Sequence, residues 1–81
     1  MFIVLDLETT GLSAKDDTII ECAFVKIKRE DFSEIDRFHC FVNPEREIPT
    51  LISQITNIFE SDVQDAKKFN ELRDDIQDFI E

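Results

Sequence analysis

The sequence predicts an α/β chain of the α+β kind: a three-stranded antiparallel meander followed by a short helix and an amphipathic helix. Two observations carry this. Residues 1–42 hold three short runs rich in β-branched and aromatic residues, separated by polar turn signals, and after Asn43-Pro44 the apolar spacing changes to a helical repeat. Eight phenylalanines and 42% hydrophobic residues in 81 exclude a disordered acidic tail, and the length leaves room for one domain. A chain this size buries only about 60% of its unfolded surface, so its core is expected to be marginal unless something outside the chain completes it.

The first strand is expected at about 2–7 (FIVLDL), an almost continuous apolar run that reads as a buried strand interrupted by Asp6. After it, Thr9-Thr10-Gly11-Leu12-Ser13 contains the chain's one glycine, which suits a turn needing positive φ or a close approach of another molecule to the backbone. A second strand is expected at about 18–28. There Ile20, Cys22 and Phe24 alternate on one face and Ala23, Val25 and Ile27 on the other, so both sides should pack. Residues 29–36 form a polar connection of hairpin length, and a third strand is expected at 37–42 (RFHCFV), stopped by Asn43-Pro44. A short helix over 50–58 follows Pro49, with apolar residues at 51, 52, 55 and 58. Residues 60–65 read as a polar linker. Over 67–80, Phe69, Leu72, Ile76, Phe79 and Ile80 share one stripe, which predicts an amphipathic helix whose opposite face carries Asp74, Asp75 and Asp78 to solvent.

Nineteen acids against nine bases give a net charge of −10, spread evenly along the chain. Such a surface repels phosphate backbones over about a Debye length, roughly 8 Å at physiological salt, so nucleic acid gripped by a basic patch is excluded. Divalent cations are not. Cys22 and Cys40 stand 18 residues apart in apolar runs with no CxxC pattern, and are expected to be buried free thiols. The sequence shows no leader-like segment and no apolar run near the 18 or so residues of a membrane span, so a cytoplasmic location with no membrane partner is expected.

The informative pair is Asp6 and Glu8. Residues i and i+2 of a strand point to the same side, so both carboxylates project together from an otherwise apolar strand. Two like charges this close are costly unless a cation neutralises them, and an all-oxygen pair without His or Cys favours Mg²⁺ or Mn²⁺ over zinc. The competing reading is that both are solvated at a strand end, or that one caps the next turn. His39, between Phe38 and Cys40, is expected to be structural.

The run Ile3-Val4-Leu5-Asp6-Leu7-Glu8-Thr9-Thr10-Gly11-Leu12 resembles the first motif of the DEDD 3′-5′ exonucleases, whose fold is ribonuclease-H-like. Ile19 to Ala23, Phe38 to Pro44 with Ile48-Pro49, and Ile52 to Ile58 resemble the family's second strand, third strand with exit loop, and short helix with turn. Asn57 stands where that turn usually has glycine, and Asn tolerates the left-handed conformation. The resemblance implies removal of nucleotides one at a time from a nucleic-acid 3′ end, with two Mg²⁺ or Mn²⁺ ions about 4 Å apart. By position, Asp6 would bridge the two ions and Glu8 would bind one. Thr9, Thr10, Gly11 and Leu12 would hold the terminal nucleotide, its 3′ hydroxyl near Thr9 and its base against Leu12. Ions and backbone amides need no basic patch, which reconciles the acidity with a nucleic-acid substrate.

The family's second motif supplies another Asp, and its third an Asp with a general-base His or Tyr. Nothing in these 81 residues fills those roles, so the chain is expected to be the N-terminal portion of the fold, later strands missing, and incompetent alone. Two other readings stay open: a non-catalytic binding or assembly module that keeps the half-fold, and a Mg²⁺-dependent phosphotransfer or ribonuclease-H-like protein of another family. In the family sheet the first strand is central. Without its later neighbour, one edge of residues 2–7 would be open, and self-association through that edge or through an uncovered helix face is expected.

Overall fold

The computed structural model describes residues 1–13 and 15–81. Its elements are β1 (Phe2–Thr9), β2 (Ile19–Ile27), β3 (Glu34–Phe41), α1 (Thr50–Thr56), α2 (Glu60–Val63) and α3 (Phe69–Ile80). The strands form one antiparallel sheet in the order β1-β2-β3. This is the meander with following helices that the apolar runs and the change of period predicted. β1 extends two residues beyond the expected strand, and β3 begins three residues earlier, leaving a tight hairpin. In that hairpin the Asp31 carboxylate accepts the Ser33 N–H and hydroxyl, at 3.0 and 2.7 Å, and Phe32 takes a left-handed φ of 58°. The Phe32 ring stacks on Phe2, which ties the hairpin to the start of β1.

β1 is an edge strand, and the apolar run read as buried is largely exposed: Phe2, Val4, Leu5 and Leu7 are 39–53% accessible. β2 pairs with it on one side, while its other side has no strand partner among the described residues. Burial depends on neighbours, and a short run of apolar residues does not specify how many there are.

A β-bulge corrects a second expectation. Glu8 lies opposite Glu21 and Thr9 opposite Ile19, so Ile19 and Ile20 together face one residue of β1. The extra residue breaks the alternation. Ile20 therefore packs not with Cys22 and Phe24 but with Ile48, Ile58, Val63, Phe41 and Ile52, while Ile19 joins the cluster of Cys22 and Phe24.

Two small cores result. One face of the sheet carries Ile3, Cys22, Phe24, Phe38 and Cys40 beneath Leu72, Ile76 and Phe79 of α3. Phe24, Phe38 and Phe79 meet there with ring centroids 5.8–6.4 Å apart. Phe69 and Ile80, placed on the same stripe by spacing, are each 44% exposed at the two ends of the helix, and Asp74, Asp75 and Asp78 face solvent as expected. The second core gathers around Ile20 under α1 and α2. α1 stops at Asn57, whose φ of 60° is left-handed and whose N–H bonds the Ser53 carbonyl at 2.8 Å. Leu51 and Ile55 of α1, expected on its packed side, are 64% and 70% exposed. The segment read as a linker contains α2. Its Asp62 carboxylate accepts the Phe59 N–H, and the Glu60 carboxylate accepts the Ile48 N–H, so two acids fold the segment onto the core.

Leu72 is 3% exposed at the centre of the larger core. Leu72→Ala should cost about 2–4 kcal/mol, a large share of what a chain this short holds. Urea unfolding followed by circular dichroism checks it: the midpoint should fall with the slope unchanged, and a shift worth under about 0.5 kcal/mol would contradict the placement of α3.

Candidate metal and nucleotide site

The ladder fixes which side chains share a face, because residues directly opposite in an antiparallel pair project together. Asp6 lies opposite Ala23, which lies opposite His39; Glu8 lies opposite Glu21, which lies opposite Phe41. Asp6, Glu8, Glu21 and His39 thus occupy one sheet face, opposite the one that α3 covers. Asp6 is exposed and Glu8 half-buried. Neither has a salt-bridge partner among the described residues, whereas Glu21 accepts a 2.7 Å bond from His39 Nε2 with the proton on that nitrogen. His39 is exposed and set edge-on against Phe41, so it braces Glu21 from the third strand.

The donor set at Asp6 and Glu8 is two carboxylates, hard oxygen ligands that suit a divalent cation of the Mg²⁺ or Mn²⁺ class. Together they would supply only part of a coordination shell. No group of three or more His, Cys, Asp or Glu among the described residues could hold a metal by itself.

Beyond Glu8 the chain turns, and here a residue that the sequence reading passed over governs the geometry. Asp17 accepts the Thr10 hydroxyl at 2.8 Å and the Ser13 N–H at 2.9 Å. Those two bonds, the backbone one foremost, hold its carboxyl below the usual range, and the Arg46 charge adds to them. Arg46 also donates to the Asp16 carbonyl, tying the segment to the exit of β3. Gly11 does not have a positive φ. Its requirement is space: a Cβ there would lie 2.4 Å from Asp17 Oδ2 and 2.7 Å from its Cγ. Glycine thus lets the Asp17 carboxylate fold under the loop, and the close approach comes from within the chain.

The four loop residues separate into two roles. Thr10 is 1% exposed; its hydroxyl donates to Asp17 and accepts the Thr18 N–H, so it holds the turn together. Thr9, Gly11 and Leu12 line a cleft of about 370 Å³ with Glu8 at its edge and Leu51, Ile52 and Ile55 of α1 as its apolar wall. The exposed side of α1 is thus the wall of this cleft. Leu12 is fully exposed at its mouth. The Thr9 hydroxyl donates to the Gly11 carbonyl and closes the turn from within. Glu21 and Asp17 are what residue-by-residue reading missed. An acid inside the apolar run IIECAFV was the available signal for Glu21; for Asp17 none existed short of the folded loop.

A family model described as Exonuclease (RNase_T) matches residues 3–81. The chain belongs to this exonuclease family. It is 45% identical over 80 residues to the PolC-type DNA polymerase III of Bacillus subtilis, covering 99% of this chain and 5% of that protein. With the PolC-type polymerase of Thermotoga maritima it shares 36% identity over 80 residues, 99% of this chain and 6% of the relative. The chain therefore spans about one twentieth of the length of these relatives. Among solved structures, the nuclease domain of 3′hExo, a DEDDh family member bound to rAMP, superposes with a TM-score of 0.84 at 21% identity, over 96% of this chain and 42% of that one. Exonuclease X in complex with 5′ overhanging duplex DNA gives 0.76 at 28% identity, over 89% and 40%. The sheet and helices match the N-terminal part of the exonuclease, ribonuclease-H-like fold.

Asp17 supplies a test of the loop. A carboxyl with a lowered folded pKa stabilises above its ordinary value of 3.8, and that contribution is lost as the pH falls through the lowered one. Asp17→Asn should therefore unfold at lower urea than the wild type near neutrality, with the gap closing as the pH falls below the ordinary carboxyl value and through the lowered one. Asp31 and Glu34 are also lowered and keep the remaining slope in both proteins. A gap independent of pH would contradict the assignment.

Proposed function

We propose that this chain is the part of a metal-dependent 3′-5′ exonuclease that carries its first two cation ligands and its terminal-nucleotide cleft. The supporting observation is the placement of Asp6 and Glu8 side by side on the face of β1 opposite α3, with no salt-bridge partner among the described residues, and of Glu8 in the lining of a cleft walled by Leu12, Leu51 and Ile55. In this reading Asp6 and Glu8 bind Mg²⁺ or Mn²⁺. A bound divalent ion supplies neutralisation of phosphate charge and activation of water at neutral pH. The loop from Thr9 to Leu12 holds the last nucleotide, with the base against Leu12 and the apolar side of α1, and Thr10 with Asp17 keeps that loop in place. The names of the PolC-type relatives, which are DNA polymerases, favour DNA as substrate.

These 81 residues hold two of the ligands and no general base for the water, so we propose that they bind the cation weakly and do not turn over alone. The rival reading, a non-catalytic binding or assembly module, draws on the same shortage of ligands. The open edge of β1 is proposed to pair with a second copy, since its unpaired backbone and exposed apolar side chains favour association.

Mn²⁺ titration followed by paramagnetic broadening should show millimolar or weaker binding centred on residues 6–12, abolished in Asp6→Ala, with a 3′-labelled DNA oligonucleotide left intact. Broadening elsewhere, or unaltered in Asp6→Ala, would refute the cation site. Robust cleavage would refute incompetence. Light scattering at high micromolar concentration should show dimers or larger species; a monodisperse monomer would contradict pairing at the edge.

A further inference from the structure

Cys22 and Cys40 stand directly opposite one another on β2 and β3, with their Sγ atoms 3.3 Å apart. They are unbonded thiols, inside the core that α3 covers. Opposed residues of an antiparallel pair have Cα atoms about 4.5–5.5 Å apart, within the span that a disulfide bridges without moving the backbone. The two thiols also differ in access. Cys22 is fully buried, whereas Cys40 is partly exposed.

We propose that Cys22 and Cys40 form an oxidation site, a cross-strand dithiol that a peroxide converts to an intramolecular disulfide. Cys40 reacts first. Its thiolate attacks one peroxide oxygen, the O–O bond breaks, and Cys40 becomes a sulfenic acid as hydroxide leaves and takes up the thiol proton as water. The Cys22 sulfur then attacks the Cys40 sulfur: the S–S bond forms, the S–O bond breaks, and the departing hydroxide carries off the Cys22 proton as a second water. Two thiols and one hydrogen peroxide give one disulfide and two waters, the two electrons passing from sulfur to oxygen. Burial, and then the neighbouring Cys40, push the Cys22 thiol up to about 12, which keeps it protonated and leaves the first step to Cys40. The product joins β2 to β3 beside Leu7, the residue between Asp6 and Glu8, which pairs with Cys22.

The purified protein treated with hydrogen peroxide tests this. Both thiols should disappear together, the intact mass should fall by about 2 Da, and a tryptic digest should contain residues 16–26 joined to residues 38–46, all reversed by a dithiol reductant. The oxidised protein should melt roughly 5–15 °C higher, because the bond fits the folded register. In Cys40→Ser, which replaces the more exposed partner, Cys22 should stay reduced. Oxygen added to Cys40 without loss of Cys22, linkage only between two copies, or a fall in melting temperature would each overturn the proposal.

Discussion

The candidate site depends on the antiparallel ladder between β1 and β2. A strand presents alternate residues to alternate faces, so Asp6 and Glu8 stand together only while the register holds Asp6 opposite Ala23 and Glu8 opposite Glu21. A slip of one residue would send both carboxylates to the face that α3 packs against, where a pair of charges has no place. The core under α3 thus selects the register, and the register in turn sets the acids side by side on the opposite face. The bulge at Ile19 and Ile20 ends this regular stretch just past Glu8, where the chain leaves the sheet to form the Thr9–Leu12 turn.

That turn is organised by a carboxylate that touches no proposed ligand. Asp17 holds Thr10 and Ser13, and Gly11 leaves it room. Acids therefore serve three distinct purposes along a chain of net charge −10: Asp6 and Glu8 share a face with no salt-bridge partner among the described residues, Asp17, Glu60 and Asp62 fold segments by accepting backbone N–H groups, and Asp74, Asp75 and Asp78 lie on the wet side of α3. β1 presents apolar residues and one backbone edge to solvent among the described residues.

The order of elements was legible because it rests on local periodicity: strand alternation before Asn43, helical spacing after it, and an amphipathic stripe centred on Leu72 and Ile76. Asn57 was legible as a left-handed helix stop for the same local reason. What escaped reading depends on the third dimension. The run from Phe2 to Leu7 is apolar enough for a strand covered on both faces; its open edge was expected, but the exposure of Val4, Leu5 and Leu7 on those faces was not. Ile19 and Ile20 are chemically identical, so nothing in the residues says which of them a bulge turns to the other face. α2 is one turn held by Asp62 and Glu60 inside a polar segment too short for any period to show. At the site, the shared face of Asp6 and Glu8 followed from strand alternation, while the Thr10 side chain, expected with its loop neighbours to hold the nucleotide, turns inward to a partner seven residues away.

The central claim is that geometry, not overall acidity, makes the cation site, and one variant separates the two. Glu8→Gln combined with Gln64→Glu keeps composition and net charge but moves one carboxylate off β1 to an exposed position beyond α2. If Asp6 and Glu8 act together, Mn²⁺ affinity measured by calorimetry should fall by roughly tenfold or more, to that of one carboxylate, while the circular dichroism spectrum stays unchanged. An affinity equal to the wild type's in the folded variant would show that the ion answers only to the charge of the chain, and would contradict the account.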